Sequence, residues 1–135
     1  MAVIKKFLYV NRKAPHGSIF ALESLEVVLI GAAFDQDVAL AFIDDGVYQL
    51  MRNQDTSGIG TKNFSATYKA LGDYDISKIY VEKESLDLRG LSKDNLMPLT
   101  WEDEDDDWAE KDSIQVVSST ELAEIIDNQD VIFSF

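Results

Sequence analysis

The chain has no cysteine and a single histidine, His16, among its 135 residues. The first absence excludes a disulfide framework, every cysteine-ligated metal site and any thiol or persulfide on its own side chains. The second excludes sites built from several histidines. Basic residues are also scarce, with 12 Lys and Arg against 25 Asp and Glu, for a formal net charge of −13. Neutralising phosphates requires an excess of Lys and Arg, so nucleic acid is not expected as a direct ligand. The acidity serves solubility or, read functionally, offers a surface to basic partners. No apolar run approaches the length needed to cross a bilayer. The apolar start is broken by Lys5 and Lys6, lacks a small-residue cleavage site and has the period of a strand. A cytoplasmic protein without membrane contact is therefore expected.

What the chain does have is material for a core. Hydrophobic residues make up 46%, and a domain of this length buries roughly two-thirds of its unfolded surface without staples. One domain over residues 1–135 is expected. Residues 3–10 are apolar, β-branched and aromatic, the pattern of a first strand. Ile19, Leu22, Leu25, Val28, Leu29 and Ala32 recur at steps of three and four, which predicts an amphipathic helix with Ser18 as N-cap. Residues 38–43 form a continuous apolar run, a second buried strand ending at the turn Asp44-Asp45-Gly46. A short helix over residues 47–51 and a loop over 53–60 follow. Phe64, Thr67, Tyr68 and Leu71 predict another helix stopped by Gly72.

Residues 76–81 read as a third strand, and 82–90 as a short helix or a turn-rich connection. Residues 114–117 predict a fourth strand. Ser118, three before Glu121, has the spacing of a capping box, and residues 130–135 read as the last strand. Between these lies an acidic stretch, about 91–111, in which Trp101 and Trp108 flank six consecutive acids. With no glycine at a central turn position it lacks EF-hand spacing and reads as a solvated loop without a metal, pinned by its two tryptophans. Strands alternating with helices predict an α/β, Rossmann-like or flavodoxin-like layered fold. Its mostly parallel sheet has about five strands flanked by helices.

In such a sheet ligands bind at the carboxyl ends of strands. Residues 14–18, 44–49 and 82–85 belong there. Pro15-His16-Gly17-Ser18 is a candidate anion cradle without the spacing of a dinucleotide or Walker loop, and otherwise a plain strand-to-helix turn. His16 with Ser18 and Asp44 or Asp45 makes a triad on paper, but no nucleophile elbow surrounds it. Asp44 and Asp45 are candidate Mg²⁺ ligands for a small metal-dependent hydrolase or phosphotransferase. Against this stands the simpler role of Asp45 and Gly46 as turn residues. No cofactor is implied.

Several stretches resemble the TusC/DsrF branch of the DsrE/DsrF-like sulfur-relay family. They are Ala14-Pro15-His16-Gly17, the run from Phe42 through Asp45-Gly46-Val47-Tyr48-Gln49-Leu50, Leu71-Gly72-Asp73-Tyr74-Asp75, and the terminal Asp130-Val131-Ile132-Phe133-Ser134-Phe135. The resemblance implies a non-catalytic subunit of a heterohexamer with homologous TusB-like and TusD-like subunits, delivering persulfide sulfur to a TusE-like carrier. The end point is 2-thiolation of the tRNA wobble uridine or, in DsrEFH-type relatives, sulfur oxidation. In that family the sulfur-bearing cysteine follows the third strand of the partner subunit. Here the matching positions are Tyr80, Val81, Glu82 and Lys83, so no catalytic residue is carried over. His16, Gly17, Ser18, Asp45, Gly46, Tyr48, Gln49 and Glu82 remain as candidates to face a partner or line a pocket.

Overall fold

A continuous apolar run can be buried on both faces only in the interior of a parallel sheet covered by helices. The two such runs of this chain become neighbouring strands, β1 (Lys6–Asn11) and β2 (Asp37–Phe42). The computed structural model describes residues 4–34, 36–59 and 63–135. Val3 of the first-strand expectation and Gly60 of the loop expectation lie outside them. Beside β2 lies β3 (Lys78–Glu82), then β6 (Ile114–Val117), while β7 (Val131–Ser134) joins the free side of β1. The sheet order is β6-β3-β2-β1-β7 and every pair in it is parallel. The expected α/β layered fold with a five-stranded sheet is therefore the one observed.

Alternation along the strands divides the core. Tyr9, Leu40, Phe42, Ile79 and Val81 face the layer that holds the helix α1 (Phe20–Ala33). Leu8, Val10, Ala39 and Ala41 face α3 (Ser119–Asp127) with Leu122 and Val117. Ser118 caps α3 as expected, its hydroxyl accepting from the Glu121 N–H at 3.2 Å. The Glu84 carboxylate accepts from the Ser119 N–H at 2.7 Å. Hydrogen bonding from Ser119, through its side chain first and its N–H second, holds the Glu84 carboxyl below its usual range.

The buried stripe of α1 differs from the expectation. Leu25 and Val28 are inside, but the other buried positions are Ala21, Ser24 and Gly31. Ile19 is 65% exposed and Leu22 38%. Small residues bring the helix close to the sheet. A Cβ on Gly31 would stand 2.6 Å from the Tyr9 hydroxyl, and Ser24 Oγ donates to Asn11 Oδ1 at 2.5 Å. Periodicity weighs apolarity and overlooks size. Ser18 does not cap this helix either; Ile19 holds the N-cap position without a side-chain bond.

The helices expected over 47–51 and 63–71 are 3₁₀ helices spanning Asp44–Leu50 and Ser65–Tyr74. Gly72 does not end the second. Asp75 does, in a left-handed conformation (φ 61°). Gly72 is instead needed for contact, since a Cβ there would lie 2.4 Å from the Thr100 carbonyl oxygen. Residues 83–88 settle as the short helix α2 (Lys83–Leu88). The stretch expected as an acidic loop carries an antiparallel hairpin, β4 (Thr100–Asp103) paired with β5 (Ala109–Asp112). Trp101 is half-buried, but Trp108 is 61% exposed and pins nothing. Among the described residues no helix is long and apolar enough to cross a membrane.

Candidate functional site

The carboxyl ends of β1, β2 and β3 open on one side of the sheet, and the chain connections there are tied together by named bonds. After β2, the Ile43 N–H donates to the Asn11 carbonyl at 3.1 Å. Asp44 follows in a left-handed conformation (φ 49°) that starts the 3₁₀ turn. Its N–H donates to Ser85 Oγ at 2.9 Å, and that hydroxyl donates onward to Glu82 Oε1 at 2.6 Å. Ser85 is only 1% exposed, so without these partners its hydroxyl would be costly to bury.

At the C-cap of α2, Arg89 closes the same corner. Its Nε and Nη2 donate to Asp45 Oδ1 at 3.2 and 3.0 Å, and its Nη1 to the Ser85 carbonyl at 3.1 Å. The guanidinium carbon lies 5.9 Å from the centre of the Tyr48 ring, within range of a cation–π contact. Asp45, Tyr48 and Glu82 are thus gathered in one cluster. Ser85, inside the 82–85 segment expected at the strand ends, and Arg89 hold it, and Arg89 is the residue that sequence reasoning missed.

A second group sits beside the first. Gln49 is 1% exposed. Its amide nitrogen donates to the Lys13 carbonyl at 2.8 Å, and its oxygen accepts from the Tyr68 hydroxyl at 2.5 Å. Burial pushes the Tyr68 phenol up, above the ordinary tyrosine range. His16 meets the Phe64 ring edge-on at 5.5 Å between centroids, and Phe64 leans on Tyr68 at 6.3 Å. The His16 Nε2 is buried and has no hydrogen-bond partner among the described residues. Gly17 (φ 93°) permits the turn into α1, and both it and Ser18 are exposed.

The paper triad is not assembled. His16 packs on Phe64, Asp45 is taken by Arg89, and Ser18 bonds to neither. Gly46 lies within the 3₁₀ turn without a left-handed conformation, and it is required because a Cβ would collide with the Asn11 carbonyl oxygen. Among the described residues no group of three or more His, Asp or Glu side chains is placed to hold a metal ion. In the acid run, Asp103 and Asp106 are both claimed by Lys111, at 2.5 and 3.3 Å. The strand order places the switch point between β1 and β7, so of the three expected segments only the loop after β1 borders it. There the Arg12 N–H donates to the Phe135 carbonyl at 2.9 Å.

Known proteins share this architecture and sequence. A crystal structure of the ychN protein from E. coli superposes with a TM-score of 0.72 over 98% of this chain and 100% of that one, at 19% identity. A protein of unknown function from Methanobacterium thermoautotrophicum gives 0.51 at 15% identity, over 97% of this chain and 99% of that one. These likenesses concern the fold. In sequence, the chain is 54% identical over 133 residues to the intracellular sulfur oxidation protein DsrF of Allochromatium vinosum, covering 98% of both chains. It is 38% identical over 94 residues to a TusC homolog of Vibrio parahaemolyticus, covering 70% of this chain and 80% of that one. A TusC homolog of Vibrio vulnificus is 29% identical over 132 residues, 98% of this chain and all of that one. The DsrE/DsrF-like family model matches residues 5–135. Fold, motifs and length agree, and the chain belongs to the DsrE/DsrF-like family, in the branch that holds DsrF and TusC.

Proposed function

We propose that this chain is a non-catalytic subunit of a sulfur-transfer hetero-oligomer working in sulfur oxidation. The observation that carries the reading is the 54% identity to a DsrF sulfur oxidation protein along nearly the whole chain. The composition gives that likeness its direction. Sulfur passed as persulfide needs a thiolate to hold it, and this chain has no cysteine. The sulfur-bearing group then belongs to a homologous TusD-like or DsrE-like partner, with a TusB-like subunit completing the assembly and a TusE-like carrier receiving the sulfur. The compartment that suits free thiolates is the reducing cytoplasm.

The geometry supports a structural contribution. At the carboxyl ends of the strands the Arg89 guanidinium donates to the Asp45 carboxylate and to the Ser85 carbonyl, and the Ser85 hydroxyl donates to Glu82. This is a braced surface with no activated nucleophile. Tyr48 under the Arg89 guanidinium offers the two residue types most enriched at interface hot spots after tryptophan. Of the residues expected to face a partner or line a pocket, His16, Gly17, Ser18, Asp45, Tyr48 and Glu82 stay as candidates, while Gly46 and Gln49 are buried and only support that face.

A second reading, wobble-uridine 2-thiolation of tRNA, is favoured by the TusC homologs at 38% and 29% identity. Deletion of the chain from its host separates the two. Loss of sulfur oxidation with unchanged 2-thiouridine content supports the first reading, and the reverse supports the second. Loss of neither would refute both.

A further inference from the structure

The hairpin β4–β5 stands over the 3₁₀ helix Ser65–Tyr74 and encloses with it a cavity of about 330 Å³. Both tryptophans of the chain line it, together with Asp73, Asp75, Glu102 and Glu110. The pairing of the strands sets an electrostatic problem. Glu102 and Glu110 are register partners, which places their Cβ atoms roughly 4.5–5.5 Å apart on one face of the ribbon, where like charges destabilise the pair. The hairpin's one cation, Lys111, serves Asp103 and Asp106, and Lys93 nearby serves Asp112. Among the described residues none of the four cavity carboxylates makes an ion pair. The ammonium of Lys69 is the cavity's own cation, one against four.

Beside these carboxylates Trp108 presents its indole to solvent, 61% exposed, at a positive φ of 61° that bulky residues rarely adopt. An apolar reason for this ring is lacking, since it covers no core. An indole face and surplus carboxylates around one cavity share a single complement, a cation that is stacked and paired at once.

We propose that this cavity receives a lysine or arginine side chain presented by a partner protein. The cation would relieve the Glu102–Glu110 repulsion and stack on the Trp108 indole, because the Lys111 ammonium already lies 6.0 Å from the centre of the Trp101 ring. A protein source is favoured over a free amine because the cavity is lined by an exposed tryptophan, the type most enriched at hot spots between proteins. The inference is independent of the sulfur-transfer reading, and either stands if the other fails.

The probe is an acetylated, amidated peptide of alternating arginine and glycine, titrated into the full chain by calorimetry and by intrinsic fluorescence. Because both tryptophans line the cavity, the emission reports on this site alone. Saturable binding is expected with the arginine peptide and none with a glutamate counterpart. Trp108→Ala and the double variant Glu102→Gln/Glu110→Gln should each weaken it about tenfold. Glu26→Gln/Glu124→Gln removes the same charge from α1 and α3 and should leave binding unchanged. Glu110→Lys, which sets a cation opposite Glu102, should abolish peptide binding without lowering Tm, so lost folding cannot imitate the result. Absence of saturable binding, or equal weakening by the control pair, would overturn the site. Spermidine binding as tightly as the peptide would overturn the assignment to a partner protein.

Discussion

The Cβ that Gly46 lacks would stand 1.9 Å from the carbonyl oxygen of Asn11. That contact lets the turn after β2 lie directly on the end of β1, where the same carbonyl accepts the Ile43 N–H. Any side chain at residue 46 must push the two connections apart. Gly46→Ala should therefore destabilise the fold by about 2–3 kcal/mol, the upper part of the overpacking range, because the obstacle is backbone. Urea unfolding checks this, and a change below about 0.5 kcal/mol would contradict it.

The Tyr68 hydroxyl and the Gln49 side chain form a buried pair. Tyr68→Phe removes the donor and leaves the Gln49 oxygen unsatisfied, at a cost of about 1–3 kcal/mol. Alkali gives the same bond a second test. Burial raises the Tyr68 phenol in the folded state, while an unfolded tyrosine ionises near 10. The folded state then binds more protons above that pH, so this contribution is whole below about pH 10 and declines as the pH rises past it. Spectrophotometric tyrosine titration should show a delayed phenol that ionises only with unfolding and disappears in Tyr68→Phe.

Asp103 and Lys111 control the hairpin tip. The Lys111 hydrogen bond, aided by the Asp105 N–H, holds the Asp103 carboxyl below its usual range, and the same bond raises the Lys111 ammonium. A depressed carboxyl stabilises above its unfolded value of about 4 and loses that contribution as the pH falls through the folded value. A raised ammonium stabilises below about 10.4 and loses that contribution as the pH rises further. Amide chemical shifts of residues 100–112 should stay constant between these limits and move outside them. Lys111→Ala should raise the Asp103 midpoint; an unchanged midpoint would contradict the pairing.

Much of this fold was readable from apolar runs. Strands β1, β2, β3, β6 and β7 lie where hydrophobic segments put them, as continuous runs in the central β1 and β2, buried on two faces, and as apolar residues interrupted by exposed ones in the edges β6 and β7. Two things escaped. The hairpin β4–β5 has polar strands, Thr100-Trp101-Glu102-Asp103 and Ala109-Glu110-Lys111-Asp112. Held by the ladder and by Lys111 rather than by a buried face, such strands carry no periodic signal. The α1 face escaped because Ala21, Ser24 and Gly31 are inside for their size. At the candidate site Asp45, Tyr48, Gln49 and Glu82 were legible from strand ends. Arg89 was not, since its bonds reach back 44 residues to Asp45 and no local pattern records a pairing of that span.

The proposed partner face gives a prediction that separates assembly from folding. Tyr48 is half-buried and lies under Arg89. Tyr48→Ala and Arg89→Ala should weaken co-purification with the homologous partners about tenfold or more, within the range of hot-spot truncations. Each should cost the isolated chain no more than about 1 kcal/mol, the scale of an exposed cation–π contact and a surface ion pair. Equal losses in assembly and in urea stability would mean that the residues only brace the fold.

The central claim is that a chain without a thiol is nevertheless required for sulfur to move. Reconstituted partner subunits should be loaded with persulfide and mixed with the downstream carrier, with and without this chain, and the sulfur on each protein followed by intact mass. The account predicts that the carrier gains sulfur only when this chain is present, while the chain's own mass never increases. Full transfer by the partners alone, or a sulfur adduct on this chain, would contradict it.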